Sequence, residues 1–125
     1  MSALTAKTDQ DKATCPIRSV LANVMGKWSS LILLVLEHGP QRFSAIKRIV
    51  GDITQRVLTE NLRSLEADGY ITRRVEPGPP IEVHYELTDI GREFVANYKP
   101  LVNWALTRRE DVYTARADYA ARTAK

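Results

Sequence analysis

Ile53-Thr54-Gln55-Arg56-Val57-Leu58-Thr59-Glu60-Asn61-Leu62-Arg63-Ser64-Leu65-Glu66-Ala67-Asp68-Gly69 reads as a helix with both ends marked. Leu58, Leu62 and Leu65 recur at helical spacing, so one stripe is apolar and should face a core. At ~100° per residue, Arg56, Thr59, Glu60 and Arg63 fall on the opposite side. Thr54 stands where an N-cap is wanted, because its hydroxyl can accept from an unpaired amide of the first turn. Gly69 stands where a left-handed residue ends a helix. The exposed N-terminal half carries Gln55, Arg56 and Thr59, types that bond to base edges and phosphates. Taken by itself the segment reads as an ordinary solvated amphipathic helix. Its neighbours change that reading.

Immediately upstream, Ser44 is placed to cap a short helix from Ala45 to Val50, with Ile46, Ile49 and Val50 inward and Lys47 and Arg48 outward. Gly51-Asp52-Ile53 is a tight turn. A short helix, a glycine turn and a capped second helix make the helix-turn-helix arrangement. Downstream, Ile71, Arg73 and Val75 alternate on one strand, and Val83, Tyr85 and Leu87 on a returning one. Between them Pro77-Gly78-Pro79-Pro80 forbids ladder pairing and forces a stiff protruding loop. A projecting hairpin directly after a helix-turn-helix is a wing. Its bland alternative is a plain edge hairpin, but Arg73 and Arg74 favour phosphate contact.

Farther out, Cys15-Pro16 opens a helix marked by Ile17, Val20, Leu21, Val24 and Met25 and ended by Gly26. A second helix runs from about Lys27 or Trp28 to His38. Its Leu31–Leu36 run is apolar nearly all round, the mark of a helix buried on several sides. Gly39-Pro40 stops it, and Gln41-Arg42-Phe43 is long enough only for a one-bridge strand. Past the wing, Thr88 caps a helix to about Leu106 that Pro100 should kink or divide. Residues 107–125 predict a weaker helix that frays toward Lys125. Residues 1–14 read as a flexible tail.

The chain has 125 residues, 44% of them hydrophobic and 26% charged, the composition of one soluble globular domain. No apolar run approaches the ~18 residues of a membrane span, and no signal pattern opens the chain, so we expect it in the cytoplasm. The formal net charge is +3. Between Arg42 and Arg74 seven bases face four acids, so the whole excess lies in about a quarter of the chain. That concentration suits a polyanion partner. His38 and His84 are far apart with no ligand pattern around them, so neither a metal nor another cofactor is expected. No nucleophile–base pair, phosphate-cradling loop or paired carboxylates point to an enzyme.

Cys15-Pro16, Gly26-Lys27-Trp28, Gly39-Pro40 with Arg42-Phe43, and the segments 53–59 and 62–69 resemble an HxlR-type winged-helix regulator of the MarR-like superfamily. Tyr85-Glu86-Leu87-Thr88, Gly91 and Trp104 continue the series, and the resemblance spans roughly residues 15–106. It implies an α+β winged helix-turn-helix with N- and C-terminal dimerisation helices. It further implies a cytoplasmic homodimer on palindromic operator DNA, and in several members an early cysteine that senses electrophiles or oxidants. Two features depart from the family pattern: threonine stands where serine is common at the cap, and the wing tip is unusually proline-rich.

Gln55, Arg56 and Thr59 are then the expected base readers in a major groove. Lys27, Arg42, Ser44, Lys47, Arg48, Thr54, Arg63, Arg73 and Arg74 are the expected phosphate contacts. Glu60 on that side must pair with Arg56 or Arg63, or accept from a cytosine. Ile17, Val20, Leu21, Phe94, Tyr98, Leu101 and Trp104 are candidates for a dimer interface, with internal core as the alternative. Cys15, the single cysteine, is either a small buried hydrophobe or a sensor thiol whose place at a helix N-terminus favours the thiolate. The competing function is a winged-helix protein-interaction module without DNA readout. Such modules tend to lose the outward bases that Arg56 and Arg63 retain.

Overall fold

The computed structural model describes residues 15–124; the tail expected at residues 1–14 lies outside them. A π-helical turn, Ile17–Leu21, leads into α1 (Ala22–Val24). Then come α2 (Ser29–Val35) with a 3₁₀ turn (Leu36–His38), β1 (Gln41–Arg42), α3 (Phe43–Val50) and α4 (Gln55–Ala67). The wing strands β2 (Ile71–Glu76) and β3 (Glu82–Leu87) follow, and α5 (Asp89–Thr123) closes the order. The three strands form one antiparallel sheet in the order β1-β3-β2. The mixed helix and small-sheet architecture is that of a winged helix-turn-helix. The chain separates into two compact units, one ending at Arg92 and one beginning at Glu93.

The core of the first unit is built from Val24, Ile32, Leu33, Leu36, Ile46, Leu58, Leu62 and Ile71, all 2% exposed or less. Six of these eight come from the helices flanking the turn and from the 3₁₀-extended α2. The helix-turn-helix and α2 thus supply most of the fully buried side chains of this unit. Leu31–Leu36 is less enclosed than its composition predicts: Ile32, Leu33 and Leu36 are buried, but Leu31 is exposed. The first helical segment is continuous from Pro16 to Val24 but π-wound over Ile17–Leu21, and only its Val24 is buried.

Three local expectations need correction. Ser44 does not cap α3. The helix starts two residues earlier than expected, at Phe43, with Arg42 in extended conformation at the N-cap and no side-chain cap bond. The antiparallel pairing of Gln41 and Arg42 with Tyr85 and His84 holds that N-cap residue extended, so the strand decides where the helix begins. Ile49, expected inward, is exposed. Pro100 does not divide α5, which runs without interruption to Thr123. Its missing N–H leaves only one carbonyl of the preceding turn without its usual donor. The stretch after residue 107 is helical as well. Alanines and arginines are strong helix formers, and an Arg108–Asp111 ion pair (3.0 Å) spans one turn. Among the described residues no single helix is long and apolar enough to cross a membrane.

Candidate nucleic-acid interface

Both ends of α4 are fixed as their residue types dictate. The Thr54 hydroxyl accepts from the Val57 amide (3.2 Å), and Thr54 itself is extended. At the other end Gly69 has φ +83°, a conformation that costs glycine nothing. Its amide donates to Glu66 O (3.1 Å) and that of Tyr70 to Leu65 O (3.0 Å). That is the two-bond Schellman closure, and Leu65 and Tyr70 are both buried beneath it. Gly51, between the two helices, has φ +100°, which lets the chain turn from α3 toward α4 in four residues.

Leu58, Leu62 and Leu65 anchor the inner face of α4. Each contributes about 1.5–3 kcal/mol of burial. Two polar contacts fix the helix to the N-terminal part of the chain. Ser29 donates to Asn61 Oδ1 (2.9 Å), and Asn23 donates to Asp68 Oδ2 (2.6 Å). Asn61 in turn donates to Val57 O (2.8 Å), so its amide is used on both sides. This latch was not legible from the sequence, since it joins positions 32 and 45 residues apart.

With that face held down, Gln55, Arg56, Glu60 and Arg63 are exposed and Thr59 is half-buried. Arg56 has 88% of its side chain free and, among the described residues, pairs only with Glu60, Nε to Oε1 at 3.1 Å. So exposed a pair contributes at most a few tenths of a kcal/mol and exchanges readily. Of the two arginines within reach, Glu60 takes Arg56 in the free chain. Thr59 donates its hydroxyl hydrogen to Gln55 O (2.9 Å), leaving oxygen lone pairs outward.

The wing separates the two arginines that the sequence treats alike. Strand register sets Arg73 opposite Tyr85 and Arg74 opposite His84, so the two side chains lie on opposite faces. Arg73 and Tyr85 join Thr59, Leu62, Arg63 and Glu66 of α4 around a cleft of about 320 Å³ between helix and wing. Arg63 and Arg73 have no acidic partner among the described residues. Arg74 is engaged twice, with Glu76 (2.9 Å) and Glu86 (3.1 Å). Arg42 shares that other face and pairs with Glu82 (3.3 Å). Lys47 is half-buried and Ser44 and Arg48 exposed on α3, and Lys27 lies 4.9 Å from the centre of the Trp28 ring before α2. Thr54, Gln55, Arg56, Thr59, Arg63 and Arg73 thus share the α4–wing surface, whereas Arg42 and Arg74 brace the sheet's far face. Tyr85 and Glu66 are the members of the cleft that the sequence did not single out. The alternation that sets Tyr85 on the face of Arg73 could have found one of them.

Cys15 is buried, at 9% exposure, just ahead of the π-helical turn. Ile17, Val20, Leu21 and Leu101 are 40–50% exposed and Trp104 is 59% exposed, so Trp104 is not internal core. Phe94 and Tyr98 are half-buried and stack on each other, ring centres 5.2 Å apart.

A capped second helix turned outward, a glycine turn before it and a basic hairpin beside it define a winged helix-turn-helix protein. The HxlR-like helix-turn-helix family model matches residues 23–112, and the chain belongs to that family of transcriptional regulators. It is 35% identical over 107 residues to the uncharacterized HTH-type transcriptional regulator YtfH of Escherichia coli K12, covering 86% of this chain and 85% of that one. It is 38% identical over 105 residues to YtcD of Bacillus subtilis, covering 84% and 83%. Among solved structures, the reduced form of the redox regulator HypR superposes with a TM-score of 0.73 at 34% identity, covering 79% of this chain and 98% of HypR. The reduced form of the transcriptional regulator YodB from B. subtilis gives 0.66 at 34% identity, covering 74% and 91%.

Proposed function

We propose that the chain is a sequence-specific DNA-binding repressor that acts as a cytoplasmic homodimer on a palindromic operator. The observation that carries this reading is the outward half of α4, where Arg56 stands 88% free beside exposed Gln55 while the wing brings Arg73 toward Arg63. Gln55 and Arg56 read base edges in the major groove, with Thr59 as a third contact. Arg63 and Arg73 grip the flanking phosphates with Thr54, Ser44, Lys47, Arg48 and Lys27. Arg42 and Arg74 are secondary, because each must leave a carboxylate first. A docking module has no need of exposed Arg56 and Arg63. One α4 reads only a half-site, so two copies presenting it about 34 Å apart account for specificity. The exposed apolar residues at Ile17–Leu21 and Phe94–Trp104 supply the interface.

Cys15 is the redox part of the proposal, supported by the likeness to HypR. A single cysteine allows no disulfide within the chain, so an oxidant or electrophile acts by capping it or bridging two copies. The test is anisotropy titration of a genomically selected operator and a scrambled duplex across salt concentrations. Arg56→Ala should lose about 1–3 kcal/mol of preference for the operator, whereas Arg73→Ala should weaken both duplexes alike and flatten the salt slope. Equal affinity of the unaltered protein for both duplexes overturns base readout.

A further inference from the structure

The second unit carries a pattern that runs on beyond the interface proposed at Phe94–Trp104. Leu101, Ala105, Arg108, Val112, Ala115 and Tyr119 follow one another at alternating steps of four and three residues. The same alternation reaches back to Phe94 and forward to Arg122, all within α5. Such spacing keeps one seam facing a neighbouring helix over its whole length, about 42 Å at 1.5 Å per residue. The seam is open in the single chain: Leu101, Val112 and Tyr119 are 46%, 38% and 60% exposed. Family membership does not account for its far end, since the family match stops at residue 112 and the helix continues to Thr123.

The flanks of the seam name the occupant. On one side lie the acids Asp111 and Asp118, and on the other the bases Arg109 and Arg116. When two identical helices run parallel, each residue on one flank meets the partner's opposite flank five positions farther on. Asp111 then meets the partner's Arg116, twice by symmetry. When they run antiparallel, like flanks meet, so acids face acids and arginines face arginines. The unpleasant seam residue, Arg108, already shares its charge with Asp111 at 3.0 Å. Two small residues, Ala105 and Ala115, let the backbones approach.

We propose that residues 105–122 pair with the same segment of a second copy as a parallel two-stranded coiled coil. The pairing rests on the homodimer proposed above and lengthens it past Trp104, where the core interface ends. Its seam is thin, with arginine at two positions, Arg108 and Arg122, and alanine at two, so it adds to a dimer held elsewhere and opens more readily than the rest.

The charge flanks give a test in the full-length chain. Dimer dissociation constants are measured by sedimentation for Asp111→Arg, Arg116→Asp and the double exchange, with helicity checked by circular dichroism. Each single change should loosen the dimer about fivefold or more, and the double exchange should return it to within about twofold. Single changes without effect, or a double exchange that stays weak, overturn the parallel pairing. Two further variants are made on a Cys15→Ser background. Ala115→Cys should cross-link two copies on oxidation and Thr114→Cys, one position off the seam, should not; the reverse overturns the register. A dimer insensitive to every change here sinks the coil and leaves the homodimer standing. A monomer at all concentrations sinks both, while the duplex titration above judges DNA binding separately.

Discussion

α4 and α5 are both rich in large apolar side chains and dispose of them in opposite ways. In α4 the three leucines are sunk to 2% exposure or less, and apart from Val57 and Ala67 the rest of the helix is polar. In α5, Leu101, Trp104, Leu106, Val112, Tyr113 and Tyr119 remain 38–60% exposed over a helix nearly three times as long. α4 is completed by its own chain, and so its outward face is free to carry recognition. α5 is left incomplete by its own chain, and so its surface is available for another. On the function proposed above, recognition and assembly then fall on separate helices.

The contrast is broken most directly from within α4. Leu62→Ala should cost about 2–5 kcal/mol of unfolding free energy in urea, because the cavity opens beneath the latch at Asn61. A loss under 1 kcal/mol would mean that α4 is not anchored as its burial implies. The corresponding change in α5, Leu101→Ala, should stay within about 0.5 kcal/mol in dilute solution, as exposed substitutions do. Its effect should grow as protein concentration rises, since a partner that binds only the folded chain stabilises it by mass action. Thermal unfolding of both variants across a hundredfold range of concentration separates the two helices.

The smallest effect sharpens the junction at the end of α4. Burial, and secondarily the Asp68 carboxylate, hold the Tyr70 hydroxyl above its ordinary pKa of 10.0. A folded-state value above the unfolded one leaves the folded chain binding more protons, so stability is fully present below about pH 10 and lost as pH rises beyond it. Tyr70→Phe should therefore flatten the alkaline end of a stability–pH profile and leave its neutral region without slope from this group. An alkaline limb of unchanged steepness would remove Tyr70 as its source.

What was legible in the sequence was local. Thr54, Gly69 and the leucine spacing define α4 because capping and periodicity act within one or two turns. The wing was legible because alternation and a proline-rich tip are also short-range signals. The start of α3 was misread because Ser44 looks like a cap, whereas strand pairing with Tyr85 and His84 decides the geometry at Arg42. The unequal roles of Arg73 and Arg74 were not legible either. They depend on which face the register of β2 against β3 assigns to each, and on the carboxylates at Glu76 and Glu86 that occupy one of them. The burial of Cys15 lies likewise in tertiary packing.

Glu60 serves as a resident decoy for Arg56. Any surface that captures this guanidinium must first displace a carboxylate 3.1 Å away on the same helix face. A lone phosphate oxygen offers little more than Glu60 already does, whereas a guanine edge offers two aligned acceptors at once. If Arg56 reads a base as proposed, a duplex lacking that edge gives it little beyond the partner it already has, so part of the discrimination comes from indifference instead of collision.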